Sequence, residues 1–263
     1  MLPPPLTRRR TRMFAPPTIA VAAALAALST APALAGTTVR KGNETVSLAV
    51  SVVALPGATK ANRGTKVRYV VKRGTVNGLR SSEDLRSITV SGPQGLRYNS
   101  GVLGTCDVAK VFADDKYKCP KNTTIGSGKG KADARPAVAA LIDAKLTASN
   151  ALVNFDADNK PRPGLPGVFI DADIGGGNSV GLSLDTKPNG TFVYAQGRAA
   201  PGTQAAYTIV NLDLTVGVLG RNGKPYVQLP ATCPKNGKWR FGMVERHWSG
   251  LTLTATHDVR CKR

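Results

Sequence analysis

Residues 45–55 read TVSLAVSVVAL. Val46, Leu48, Val50 and Val52 alternate there with small or polar residues, the period of two that places one row of a β-strand on a buried face. The next apolar stretch, KVRYVVKR at 66–73, repeats the pattern with Val67, Tyr69 and Val71 set against Arg68 and Lys72. Working outward, LRSITV (85–90), GVFIDAD (167–173), VGLSLD (180–185), TFVYAQ (191–196) and YTIVNLDLTVGVL (207–219) are further strand-like runs, separated by turn formers such as SGPQG, KPNG and RNGKP. With 28 glycines and 18 prolines spread along the chain, long helices are not expected. Two short ones are, at DVAKVFADD (107–115) and PAVAALIDAKL (136–146). The fold class is all-β: a disulfide-stapled β-sandwich, either jelly-roll-like or built as two packed β lobes, with at most one or two short helices.

The C-terminus is the clearest local unit. Trp239, Phe241 and Met243 alternate in KWRFGMVERHW, and Leu251, Leu253, Ala255 and Val259 alternate in LTLTATHDV, with WSG between them as a turn. That pattern predicts a β-hairpin. The chain has four cysteines, Cys106, Cys119, Cys233 and Cys261. An even count in an exported chain reads as disulfides, and four cysteines allow three connectivities. Each of the pairs Cys106–Cys119 and Cys233–Cys261 brackets a compact segment, and the second clips the open end of the hairpin. Loop closure assigns roughly 3 kcal/mol to the shorter loop and slightly more to the longer. A four-cysteine zinc site fits poorly, because zinc motifs place two to four residues between paired ligands and these gaps are far wider.

Export is read from the N-terminus. Arg8, Arg9, Arg10 and Arg12 precede the apolar run TIAVAAALAALS and then APALAG, with Ala33 and Ala35 in the small-x-small positions before a cut. Residues 1–35 are therefore expected to be a signal peptide, and 36–263 a single exported β domain, with a lobe boundary near 135 as the alternative organisation. The apolar run is shorter than a membrane span, which needs about 20 apolar residues. No membrane span is expected after cleavage. LAGT at 34–37 has Thr37 where a lipoprotein signal would carry cysteine.

After the leader, 32 basic residues face 16 acidic ones. Such an excess draws a protein to anionic surfaces. The cations are scattered rather than blocked, which argues for a basic solvated surface and against a specific nucleic-acid site. The expected partners are anionic cell-wall polymers or other envelope components.

Motifs that suggest chemistry are incomplete. GSGKGK at 126–131 lacks the hydroxyl residue and following helix of a phosphate-binding loop, and lacks the third glycine of a dinucleotide fingerprint, so it reads as a glycine-rich turn after a disulfide. GNSVG at 177–181 matches G-x-S-x-G formally, and Asp213 with His247 or His257 follows in the order of a serine hydrolase, but VGLSLDTKPNG after Ser179 is a strand and a turn where a helix is required. DADNK (156–160) and DADIG (171–175) are fragments of calcium-loop patterns without the full spacing or terminal glutamate. His247 and His257 fall on facing strands of the hairpin near Glu245, a constellation with the right donors for a metal, though strand histidines beside Trp239 and Trp248 are more often packing or surface residues. No cofactor motif is complete.

Three stretches together, LRSITVSGPQGLRYNSGVLGTCD (85–107), CPKNTTIGSGKGKA (119–132) and LPATCPKNGKWRF with WSGLT and a last cysteine (229–261), resemble a group of exported actinobacterial proteins. The resemblance spans about residues 45–263. It implies a shared disulfide-stapled β fold and brings no catalytic residue with it. The expected function is non-enzymatic: a secreted β-sandwich acting by surface contact in or near the cell envelope. The alternatives are a serine hydrolase using Ser179 and a metal-binding module using His247 and His257.

Overall fold

The computed structural model describes residues 36–261 apart from 60–61, 77–84, 114–117, 134–140, 156–160, 176–177, 188–189, 196–207 and 221. The expected leader and the lobe boundary near 135 lie outside the described residues. Leu34–Arg263 form one compact unit.

The first alternating runs are strands as expected: after β1 (Thr37–Lys41) come β2 (Glu44–Ala54) and β3 (Thr65–Thr75). Val46, Leu48 and Val50 on β2 and Val67, Tyr69 and Val71 on β3 are buried. Next are β4 (Leu85–Ser91), the short β5 (Arg97–Tyr98) and β6 (Cys106–Asp107). The central strands are β7 (Thr124–Asp133), β8 (Leu141–Phe155), β9 (Pro161–Gly175), β10 (Asn178–Lys187), β11 (Thr191–Ala195) and β12 (Thr208–Val216). The short β13 (Val227–Gln228) precedes the hairpin β14 (Lys238–His247) and β15 (Thr252–Arg260).

One antiparallel path runs β1-β2-β3-β12-β7-β8-β9-β10-β11-β4-β14-β15, with β6 added in parallel to β8. It then wraps on itself, because β15 packs against β2 and β1. The expected sandwich is thus a single sheet folded round a shared core. Wrapping brings the two edge regions together and removes most of the exposed edge that a flat sheet of this width would present. The core joins Leu48, Tyr69, Ile170, Phe192, Phe241 and Leu253 in one cluster. Tyr69 meets Phe192 and Phe241 edge-on at 6.3 and 6.1 Å, and its hydroxyl lies 2.9 Å from that of Tyr98. The β5–β13 pair carries Tyr98 and Val227 into this core near the start of β3, where Gly64 bridges to Gln228.

Both disulfides follow the local pairing, Cys106–Cys119 and Cys233–Cys261, and are consistent with an extracellular location. The expected helix at 107–115 is α1 (Val108–Ala113). Asp107 starts it by accepting the backbone N–H of Ala109 at 3.0 Å on its Oδ1. Val108 and Val111 cover Phe169 and Ala151 on the outside of β8 and β9, next to the first disulfide. The second expected helix does not form in the described part of its range. Leu141–Leu146 lie in β8, paired with β7 along their length and with β9 from Lys145 onward. Alanine- and leucine-rich local propensity is overridden there by the ladder to β7.

Candidate functional site

The inward row of β14 runs Trp239, Phe241, Met243 and then continues with Glu245 and His247, which are 3% and 2% exposed. The inward row of β3 runs Val67, Tyr69, Val71 and ends with Arg73, 8% exposed. Across the interior the Arg73 guanidinium grips the carboxylate in a fork: Nε donates to Oε2 at 2.7 Å and Nη2 to Oε1 at 2.6 Å. Nη1 donates to the carbonyl of Ile209 on β12 at 2.7 Å. His247 Nε2 stands 2.8 Å from the same Oε1, which places the ring against the carboxylate. Burial drives the Glu245 carboxyl upward, but the Arg73 hydrogen bonds, with His247 beside them, outweigh it and hold the group at about 2. A planar guanidinium suits this role because its fork matches a carboxylate.

The remaining candidates are dispersed. GSGKGK is strand, not turn, and forms most of β7. Its glycines face inward while Ser127 and Lys129 are exposed. A Cβ on Gly126 or Gly128 would sit 2.1 or 2.0 Å from the carbonyl oxygens of Thr215 and Asp213, so close approach of β12 demands glycine at both positions. Ser179 lies in β10 in register with Asp173, and β11 and β4 intervene between β10 and the His247 strand. Asp213 is committed to Arg68, with hydrogen bonds of 2.7 and 2.6 Å. Asp213 thus turns to Arg68, which alternates with the inward row of β3, while His247 lies on the inward row of β14, so these two members of the hydrolase alternative are not brought together. The metal alternative fails on register: His257 pairs with Phe241, six residues from His247 along β14, a separation of about 20 Å at ~3.4 Å per residue. Among the described residues no group of three or more His, Cys, Asp or Glu side chains gathers to hold a metal. In DADIG, Asp173 Oδ1 accepts the backbone N–H of Gly175 at 2.9 Å, which makes it a turn cap, whereas DADNK lies outside the described residues.

A cavity of about 220 Å³ adjoins the charge cluster through Ile209. It is walled by the inner face of β7, β8, β9, β10 and β12, with Ile142, Leu146, Ile174, Val180, Leu182 and Ile209 among its lining residues. Arg73 thus links two features: one guanidinium nitrogen fixes the backbone of the cavity wall while the other two hold the buried carboxylate.

Sequence reasoning missed Arg73 and the cavity. The signal for the former was present, since Arg73, Glu245 and His247 each extend an apolar inward row by one step of two, and a charge on a buried row requires a partner. No family model matches this chain, and no curated protein or solved structure is significantly similar to it. Among the described residues no helix is long and apolar enough to cross a membrane, which says nothing of strands.

Proposed function

We propose that this chain is an exported, non-catalytic β-sandwich protein that acts by surface contact and is held in or near the cell envelope by charge. The observation that carries the reading is the basic excess after the expected leader, 32 cationic against 16 acidic side chains, on a disulfide-stapled β framework. Charge of that size attracts anionic wall polymers without a shaped pocket for them. The motif resemblance to exported actinobacterial proteins supports the same compartment. The non-catalytic part of the reading is supported by the engagement of Asp213 with Arg68, away from the inward-facing His247.

Co-sedimentation of the purified protein with cell walls tests it. Binding is expected at about 50 mM salt and release by about 1 M, where the screening length falls to about 3 Å. Retention unchanged at the higher salt, or no retention at the lower, overturns electrostatic anchoring. Labelling by a fluorophosphonate that disappears in Ser179→Ala overturns the non-catalytic assignment.

A further inference from the structure

We propose that the cavity walled by β7, β8, β9, β10 and β12 is a binding site for a small neutral apolar molecule, an alkyl or single-ring aromatic group of up to about nine carbon atoms. The inference is independent of envelope retention, since it concerns the interior of the sheet and not its charged exterior.

Size sets the scale. A dry cavity of about 150 Å³ lined by aliphatic side chains takes up benzene, and scaling by volume to about 220 Å³ gives about nine carbons. The chemistry of the wall sets the class. Ile142, Leu146, Val180, Leu182 and Ile209 offer hydrocarbon surface, and each apolar contact made there removes area from water. Lys131 pairs with Asp143 at 3.3 Å on the face of the sheet opposite Gly130 and Ala144, so its charge is turned away from the guest and the hydrocarbon wall favours an uncharged one.

The space is built by the sequence rather than left by loose packing. Gly130 and Ala144 pair in register, and Ala172 stands opposite Leu146 two residues further along β8, so small residues recur on three adjacent strands of the wall. At Gly126 and Gly128 a side chain would strike the β12 backbone. At Gly130 the nearest atoms to an added Cβ are the methyl groups of Leu146 at 3.3 and 3.4 Å, the mobile tip of a side chain. Backbone packing does not require glycine at 130; what its absent side chain preserves is the cavity. The wall is also held in place, because Arg73 Nη1 bonds the Ile209 carbonyl.

The test uses the purified protein with both disulfides formed, 1-octanol and ethylbenzene as neutral probes, and octanoate as the anionic counterpart of the first. Saturable stabilisation by both neutral probes is expected, with weaker stabilisation by octanoate. Methyl NMR signals of Ala132, Ala144 and Ala172 move on titration, whereas that of Ala255 in the hairpin does not. Gly130→Val and Ala144→Leu fill the space and weaken octanol binding by about tenfold or more. Absence of saturable binding by either neutral probe overturns the proposal, as does unchanged affinity in correctly folded filled variants. Should both variants fail to fold, the methyl map of the native protein decides: shifts outside the cavity wall, at Ala255 as much as at Ala144, also overturn it.

Discussion

Replacing Glu245 by glutamine keeps the size of the side chain and removes its charge, leaving the Arg73 guanidinium buried with its counter-ion gone. The two groups are almost fully enclosed and share two hydrogen bonds of 2.7 and 2.6 Å, so solvent does little to compensate either one alone. Breaking a buried pair from one side costs about 3–5 kcal/mol. The acid titration gives a second estimate. Holding the carboxyl at about 2 against its ordinary 4.5 corresponds to roughly 3 kcal/mol of stability. Because the folded-state value is depressed, that stability is complete above 4.5 and is lost as the pH falls from there toward 2. Urea unfolding of the native protein and Glu245→Gln, with disulfides intact, measures both quantities. The gap between them should be about 3 kcal/mol or more at pH 6 and should close as the pH is lowered toward about 2, where the native carboxyl becomes as neutral as the amide. The double variant Arg73→Met with Glu245→Leu should recover most of the loss, since apolar replacement of a whole buried pair is often neutral or stabilising. A gap below about 1 kcal/mol at pH 6, or one that stays constant down to pH 2, would refute the argument by showing a solvated pair.

Trp239→Ala removes a buried ring from the β14 row and should cost about 3–5 kcal/mol, read as a sharp fall in melting temperature; a change under about 1 kcal/mol would mean the hairpin does not close the core. Gly128→Ala should destabilise by about 1–3 kcal/mol or more because its Cβ meets a backbone oxygen, whereas Gly130→Ala, which meets only Leu146 methyls, should cost under about 1 kcal/mol; the reverse ranking contradicts the close approach of β7 and β12. Replacing Cys233 and Cys261 together by serine should cost about 3 kcal/mol and speed amide exchange first at Lys238 and Arg260, the paired ends of the hairpin. Uniform acceleration across β14 and β15 would instead mean that the bond supports the whole hairpin.

The sequence by itself determined what depends on near neighbours. Alternation at Val46–Val50, Val67–Val71 and Trp239–Met243 marks strands because side chains on a pleated chain change face at every residue. The hairpin and both disulfides were legible for the same reason, each pair of cysteines closing a local loop. Local signals failed where distant chain decides the outcome. Leu141–Leu146 have helical composition but become strand because β7 pairs along them, and GSGKGK has turn composition but becomes strand because β12 runs within contact of its glycines. Glu245 and Arg73 break their apolar rows visibly, yet the pairing joins residues 172 positions apart, and only the wrapping of the sheet brings β3 to face β14. The cavity is further still from the sequence, because it consists of missing atoms: which small residues leave space and which merely admit a neighbouring backbone is fixed by how closely the strands around them approach.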